Sequence, residues 1–307
     1  MCRALLYLGE PVLLDGLLYQ PDSALVRQSY MPQMRQTLNL AGFGMRAWDA
    51  HSRDPERPWA YGSTDLPVFD RNLKSLAEKV EASTVLAHVR GVPYSTTVEI
   101  SHANIHPFQF PGCPVTMAHN GDLARFAELR PALAAHVPAG LAQHVRGTTD
   151  SEWIYALILA GLPDAFAVPT GVALVAAVTR AIEIIGRERD VLGIDTSSDA
   201  NLFVTDGTQI VAVRHCFDFG RYETEDPARV LDTNLRFVSL WYTLGRDYGV
   251  HDGEWTMTGG AEAARSILVA SEPLTRNVAA WVEVPEYSLL HARIQDGRPA
   301  VALHYLD

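Results

Sequence analysis

The sequence has few cysteines, with three in 307 residues, at positions 2, 113 and 216. They are far apart and show no C-x-x-C spacing, so the sequence predicts neither a disulfide framework nor a zinc knuckle. We expect Cys113 and Cys216 to be half-buried and unreactive. Cys2 differs from both because it directly follows Met1.

Long apolar runs and clustered basic residues are also missing. No stretch reaches the roughly 18 apolar residues that a membrane span requires, and the N-terminus has no basic region followed by a signal-type apolar core. The formal net charge is −11 at pH 7. Contacts to nucleic-acid phosphates need clustered Lys and Arg, and the sequence contains no such cluster. These absences predict a cytoplasmic protein that binds neither membranes nor nucleic acid.

Several common catalytic motifs are absent. There is no G-x-S-x-G, no G-x-G-x-x-G after the first predicted strand and no P-loop, so serine hydrolase and nucleotide-binding functions lose their main support. His102 and His106 have the spacing of two metal ligands on one helical turn, but Pro107 disfavours helix at His106. We therefore predict neither a metal nor another cofactor.

Cys2 would become the first residue of the chain if Met1 were removed. A thiolate attacks carbonyl carbons well, and a free α-amine, with a pKa of about 7.7 to 8.0, can accept the thiol proton near neutral pH. One residue would then supply both nucleophile and base. Position alone does not establish this, since a cysteine can occur there by chance.

The apolar pattern predicts strands at both ends of the chain and helices between them. Helices are predicted at 70–81, with Asp70 as N-cap, and at 123–133, 147–161 and 172–185. Segment 21–40 is predicted to be an excursion that need not contribute to the core, and 51–67 an exposed loop. Strands are predicted at 4–8, 42–48, 84–89, 115–118, 201–205, 209–214, 237–242, 266–271, 281–284 and 288–291, with a hairpin turn at Asp206-Gly207. This order favours an α+β fold of two packed, mainly antiparallel sheets with helices outside them.

Polar residues follow two of these strands. Arg90 closes the strand at 84–89 and is either a surface ion-pair residue or a fork for a carboxylate. Asn120 and Gly121 follow the strand at 115–118, where they form either a simple turn or an oxyanion hole of one amide and one backbone N–H. We expect His119 to be a packed or hydrogen-bonded strand histidine.

A third polar cluster opens the helix at 147–161. Thr149 and Glu152 have the spacing of a capping box, and Asp150 lies between them. The carboxylate of Asp150 is either part of an acidic first turn or a group that grips a substrate ammonium.

In this order and spacing, the clusters resemble the class II glutamine amidotransferases, which are N-terminal-nucleophile hydrolases. The late strands resemble the C-terminal part of that family, so the similarity covers most of the chain. The segments that carry the resemblance are Met1-Cys2-Arg3, Gly9-Glu10-Pro11, Gly42-Phe43-Gly44, Trp48, His88-Val89-Arg90, Asn104, His106-Pro107-Phe108, His119-Asn120-Gly121 and Thr149-Asp150-Ser151-Glu152.

The resemblance implies a four-layer αββα sandwich formed by a single domain over residues 1–307. Cys2 would attack the side-chain amide of glutamine or of a γ-glutamyl compound, giving a thioester that water hydrolyses. Asn120 and Gly121 would form the oxyanion hole, Arg90 would hold the substrate α-carboxylate, and Asp150 would hold its α-amino group. Ammonia would be released to water or passed to a separate accepting protein. The sequence leaves open whether the protein forms a homodimer.

One departure from the family pattern concerns substrate binding. Family members usually carry Thr or Ser three residues after the motif arginine, whereas this chain has Pro93, and Ser95, Thr96 or Thr97 would have to substitute. Two alternatives to glutamine hydrolysis therefore stay open. One is a γ-glutamyl amide hydrolase for a larger thiol-type metabolite, as in the ergothioneine-pathway relatives; the other is a non-catalytic binding module that retains Met1.

Overall fold

Two antiparallel sheets packed face to face organise the chain. The structure, a computed structural model, describes residues 2–34, 38–92, 99–221 and 238–306. The helices are α1 (Leu14–Leu18), α2 (Leu25–Gln28), α3 (Arg71–Ala77), α4 (Phe126–Ala135), α5 (Ala139–Ala142), α6 (Asp150–Gly161) and α7 (Gly171–Val191). The strands are β1 (Arg3–Leu13), β2 (Phe43–Trp48), β3 (Trp59–Ser63), β4 (Glu81–Val89), β5 (Thr116–Gly121), β6 (Ser198–Thr205), β7 (Gln209–Arg214), β8 (Cys216–Phe217), β9 (Trp241–Gly245), β10 (Asp247–His251), β11 (Glu254–Thr258), β12 (Ser266–Ala270), β13 (Val282–Glu283), β14 (Ser288–Gln295) and β15 (Arg298–Tyr305).

The strands form one seven-stranded and one six-stranded sheet. The first sheet has the order β13-β9-β12-β1-β4-β2-β3. The second has the order β15-β14-β7-β6-β5, with β8 paired to β6, and β10 and β11 form a separate hairpin. Leu6, Phe203 and Ile267 are among the buried side chains between the two sheets.

Helices cover the outer face of each sheet. Leu17 of α1 and Leu73 of α3 pack with the seven-stranded sheet, and Leu157 of α6 and Ile185 of α7 pack with the six-stranded sheet. The layers are therefore helix, sheet, sheet, helix, which confirms the predicted αββα sandwich of the α+β class.

Strand β1 is central to the first sheet and brings the N-terminus to the site. It pairs with β4 on one side and with β12 on the other. Its side chains alternate between two buried faces, with Leu5 and Tyr7 towards the helices and Leu6 and Leu8 towards the second sheet. Because both faces are buried, the strand is a continuous apolar run. Cys2, one residue before β1, is therefore held at the end of a rigid central strand.

Several predicted elements are confirmed. Asp70 caps α3 by accepting hydrogen bonds from the N–H groups of Asn72 and Leu73. The turn at Asp206-Gly207 joins β6 to β7, and Thr205 pairs with Ile210 across it.

Other predicted boundaries are wrong. Segment 21–40 does contribute to the core, because Leu25 and Val26 of α2 are buried against the first sheet. The loop predicted at 51–67 contains β3, a half-exposed edge strand whose short apolar pattern is masked by flanking charges and prolines. The helix predicted at 70–81 ends at Ala77, because Glu81 already begins β4.

The apolar pattern predicts neither strand of the β10–β11 hairpin and only the first part of the β14–β15 hairpin. The strand predicted at 288–291 extends to Gln295 and turns at Asp296-Gly297 into β15. The strand predicted at 237–242 begins at Trp241 within the residues described, which exclude Phe237.

Within the described ranges, none of the helices combines the length and apolarity needed to cross a membrane.

Candidate active site

Cys2 lies at the end of β1, against the residue that follows Arg90. The backbone N–H of Gly91 donates to the Cys2 Sγ atom at 3.3 Å, and Sγ lies 3.6 Å from the Gly91 carbonyl oxygen. The register of the sheet explains this contact. Arg3 of β1 pairs with Val89 of β4, and because the strands are antiparallel, Cys2 lies beside the residues that follow Val89. Cys2 is only 6% exposed, so the protein shields its thiol from bulk water.

The surroundings of Cys2 favour a protonated thiol. Burial raises the pKa of the Cys2 thiol, whereas the Gly91 hydrogen bond and the charge of Arg90 act in the opposite direction. A raised pKa keeps the thiol neutral near pH 7, so an attacking thiolate needs a nearby proton acceptor.

A buried ion pair holds the backbone next to Cys2. Arg3 Nη1 donates to the Cys2 carbonyl oxygen at 3.0 Å, and Arg3 Nε lies 3.6 Å from Glu272 Oε2. The Glu272 carboxylate also accepts hydrogen bonds from the backbone N–H groups of Gln33 and Met34, each at 3.0 Å. This arrangement fixes the direction in which the chain enters β1.

Arg90 is buried at the end of β4. Its backbone pairs with Ala41 and Gly42, and its Nη1 atom donates to the Glu99 carbonyl oxygen at 3.1 Å. Burial lowers the pKa of the Arg90 guanidinium, and the negative charges of a Cys2 thiolate and of the Asp150 carboxylate oppose that change. The segment from Pro93 to Thr97, where the sequence departs from the family pattern, lies outside the described residues.

Asn120 and Gly121 end β5 beside the start of β1. Asn120 Nδ2 donates to Ser271 Oγ at 3.1 Å, and the same oxygen accepts the Ala4 backbone N–H at 3.0 Å. The amide has a second N–H that this bond does not use. Position 121 has no room for a side chain, because a Cβ atom there would overlap the Asp199 carbonyl.

Asp150 is the first residue of α6, and its carboxylate is oriented by backbone groups. Asp150 Oδ2 accepts the Leu123 N–H at 2.6 Å, and Oδ1 accepts the Ser151 N–H at 2.7 Å. The Leu123 bond ties α6 to the turn after β5. The five predicted residues therefore meet at one end of the two sheets, although their assigned roles stay predictions.

The capping box predicted at the start of α6 is wrong. Thr149 is the N-cap residue, but its side chain makes no capping hydrogen bond. The Glu152 carboxylate instead reaches back to the N–H groups of Arg146 and Gly147. It therefore holds the loop before the helix and not the N-cap residue.

Three buried histidines connect the strands that carry these groups. His88 Nε2 lies 3.1 Å from His106 Nδ1 and 3.2 Å from the His119 carbonyl oxygen. Since His106 Nδ1 also accepts the His119 N–H at 3.4 Å, the network assigns the proton of His88 to Nε2. His119 Nδ1 lies 2.9 Å from Ser151 Oγ. The prediction that His119 is a hydrogen-bonded strand histidine is confirmed.

Acidification is expected to destabilise the fold through His88. Burial lowers the pKa of His88 from 6.5 to about 3. Between these values the unfolded chain binds a proton that the folded protein does not, so the free energy of unfolding falls as the pH drops from about 6.5 towards 3. Urea unfolding at pH 7 and pH 5 should show a smaller fall for His88→Gln than for wild type. His51→Gln, at an exposed ring, should match wild type, and an equal fall in all three would contradict this.

His102 and His106 differ in burial, and the two other cysteines are both buried. His102 is exposed, whereas His106 is buried against His88. In the parts of the chain that the structure describes, no group of three or more His, Cys, Asp or Glu could hold a metal ion. Cys113 and Cys216 are free thiols, and both are fully buried rather than half-buried.

Two groups at the site were not singled out from the sequence. Ser271 joins Asn120 to β1, but a serine after a buried strand carries no signal that distinguishes it. Glu272 is one residue further on, and a buried carboxylate there becomes meaningful only when its partner Arg3 is known to be adjacent.

The family comparison covers more than half of the chain. A family model described as "Glutamine amidotransferases class-II" matches residues 67–236. The matched range contains Arg90, Asn120, Gly121 and Asp150, and Cys2 precedes it.

Individual relatives extend the comparison to the whole chain. A probable glutamine amidotransferase of Saccharomyces cerevisiae, DUG3, is 28% identical over 314 aligned residues, which cover 96% of this chain and 82% of DUG3. A solved glutamine aminotransferase class-II domain protein from Silicibacter pomeroyi covers 100% of both chains, with 19% identity and a TM-score of 0.63. Glutamine phosphoribosylpyrophosphate amidotransferase from B. subtilis aligns over 98% of this chain and 49% of its own, with 16% identity and a TM-score of 0.56. The two structures support the fold.

Proposed function

The chain belongs to the class II glutamine amidotransferases, and we propose on this basis that Cys2 hydrolyses the side-chain amide of glutamine or of a γ-glutamyl compound. The observation that carries the proposal is the position of the Cys2 thiol. It is buried at the end of a central strand and hydrogen-bonded to the backbone N–H of Gly91, the residue after Arg90, and Asn120 is tied through Ser271 to Ala4, two residues from Cys2.

The first step is attack on the amide carbon. Once Met1 is removed, the α-amine of Cys2 takes the thiol proton, and the sulfur adds to the carbonyl carbon. The electron pair of the carbonyl moves to oxygen, where the Asn120 amide and the Gly121 N–H would stabilise the negative charge. The proton held by the α-amine then passes to the leaving nitrogen, so ammonia departs and a γ-glutamyl thioester remains.

The second step is hydrolysis of the thioester. Water gives a proton to the α-amine as it attacks the acyl carbon, and the thiol leaves with that proton, so glutamate is released and Cys2 is regenerated. Ammonia goes to water or to a separate accepting protein.

Substrate recognition follows from charge. Free glutamine carries a carboxylate and an ammonium on the same carbon, and the site offers a guanidinium and a carboxylate. Arg90 would pair with the α-carboxylate and Asp150 with the α-ammonium, because charge-assisted hydrogen bonds in a buried site are stronger than neutral ones.

A diazoketone analogue of glutamine tests this proposal. We expect one covalent adduct per chain, located on Cys2, and slower labelling in the presence of excess glutamine. The intact mass should also show that Met1 has been removed, which is required for the amine base. Cys113 and Cys216 are matched internal controls, because burial raises the pKa of both thiols. Retained Met1, or adducts spread over all three cysteines, would contradict the proposal.

A second candidate is hydrolysis of a larger γ-glutamyl amide, motivated by Pro93 in place of a threonine or serine. A hydrolysis screen of glutamine against γ-glutamyl conjugates of increasing size separates the two. The second candidate requires a conjugate to exceed glutamine in kcat/KM.

A further inference from the structure

Asn104 is a buried amide that connects the Arg90 side of the site to the Asp150 side. It ends a short 3-10 turn, His102–Asn104, and is completely inaccessible to solvent. Its side chain lies between the segment that contains Glu99 and the loop that precedes α6. Glu99 and Thr148 themselves lie outside any strand or helix.

The Nδ2 group of Asn104 contacts the first of these segments. It donates to the Glu99 carbonyl oxygen at 3.3 Å, and the same oxygen accepts Arg90 Nη1 at 3.1 Å. One carbonyl thus receives both side chains. The orientation of the Arg90 guanidinium therefore depends on where Asn104 holds Glu99.

Asn104 makes a reciprocal pair of bonds with the second segment. The Thr148 backbone N–H donates to Asn104 Oδ1 at 2.9 Å, and Asn104 Nδ2 donates to Thr148 Oγ1 at 3.0 Å. Asp150, the first residue of α6, is two residues further along the chain. The loop approaches so closely that a Cβ atom at Gly147 would overlap Asn104 Oδ1, which explains a glycine at that position.

Glu152 fixes the same loop from the other side, through the N–H groups of Arg146 and Gly147. The loop is therefore held between Asn104 and the first turn of α6. Asparagine suits this place because its planar amide offers one acceptor and two donors, all of which the surrounding groups use.

We propose that Asn104 is a positioning residue that sets the spacing between Arg90 and Asp150, and so selects substrates carrying both an α-carboxylate and an α-ammonium. This rests on the proposed function, in which those two residues bind the two charged groups. Asn104 would not contact the substrate itself. It acts by fixing Arg90 and Asp150 relative to each other.

The test compares glutamine with two truncated substrates. 4-Carbamoylbutanoate lacks the α-amino group, and 4-aminobutanamide lacks the α-carboxylate. Wild type should prefer glutamine over each by about 10- to 100-fold in kcat/KM, since each truncation removes one charge-assisted interaction. Asn104→Ala should lose most of both preferences, with the loss in KM rather than kcat.

Two further variants separate positioning from general damage. Thr148→Val, at an exposed residue, removes one bond to Asn104 on the Asp150 side, and should weaken only the preference over 4-carbamoylbutanoate. Gln209→Ala removes a buried amide that bridges Pro169 and Asp206 at the opposite end of the sheet, and should keep both preferences.

The outcomes distinguish this inference from the proposed function. If Asn104→Ala keeps both wild-type preferences, or loses only kcat, the inference is wrong and the function stands. If Asn104→Ala does not fold, Thr148→Val decides alone, and an unchanged or non-selective result overturns the inference. A wild-type protein that treats all three substrates alike overturns the assignment of Arg90 and Asp150, and the inference with it.

Discussion

Cys2→Ala is expected to abolish ammonia release from glutamine. Removing a covalent nucleophile typically lowers kcat by about four orders of magnitude or more, because the oxyanion hole and binding groups cannot replace the attacking atom. The measurement is ammonia release by the mature protein under saturating glutamine. Substrate binding should survive, since Arg90 and Asp150 are unchanged, so glutamine should still raise the melting temperature of the variant.

The chain provides matched controls for this substitution. Cys113→Ala and Cys216→Ala also remove one buried thiol each, at positions that the proposed chemistry does not use. Both should retain wild-type kcat if the proteins fold. Equal ammonia release by Cys2→Ala and wild type would exclude the thioester mechanism.

Asn120→Ala is expected to lower kcat by about 10²- to 10³-fold with little change in KM. Loss of one oxyanion-hole donor has this magnitude in other acyl-transfer enzymes. The effect falls on kcat because the negative charge on oxygen develops in the transition state and is absent from bound glutamine. Steady-state kinetics of the folded variant provide the measurement.

Ser271→Ala tests the support of that donor. Ser271 Oγ accepts the Asn120 Nδ2 bond and also fixes Ala4 of β1. We expect a smaller fall in kcat, because the amide is still present but less well oriented. If Asn120→Ala raises KM and leaves kcat unchanged, Asn120 contributes to ground-state binding and not to the oxyanion hole.

The residues of the site were more predictable than its supports. Cys2, Arg90, Asn120 and Asp150 follow or precede apolar segments, and polar groups at such ends converge when the sheets pack. The supporting contacts join residues that are distant in sequence, such as Arg3 with Glu272. A single sequence contains no pattern that pairs them, because their proximity depends on the order of strands in the sheet.

In the fold, by contrast, local sequence signals account both for predicted strands and for hairpins that the apolar pattern does not predict in full. The start of β1 is predicted because residues 4–8 form a continuous apolar run. The missed hairpins carry Asp252-Gly253 and Asp296-Gly297, whose residues all have positive φ, as tight hairpin turns require. The Asp-Gly pairs that favour such turns are therefore visible in the sequence itself. The capping-box prediction is wrong for a different reason. Thr149 and Glu152 have the required spacing, but the Glu152 carboxylate accepts hydrogen bonds from the preceding loop instead.

The pairing of β1 with β12 has a consequence for the order of events during biosynthesis. Residues 5–8 of β1 acquire their β12 partners only after residues 267–270 have been synthesised. Before these strands pair, the Cys2 thiol lacks the cover that buries it in the folded protein. The Met1 removal that the proposed mechanism requires would therefore take place most readily on the nascent chain, before the Cys2 thiol is enclosed.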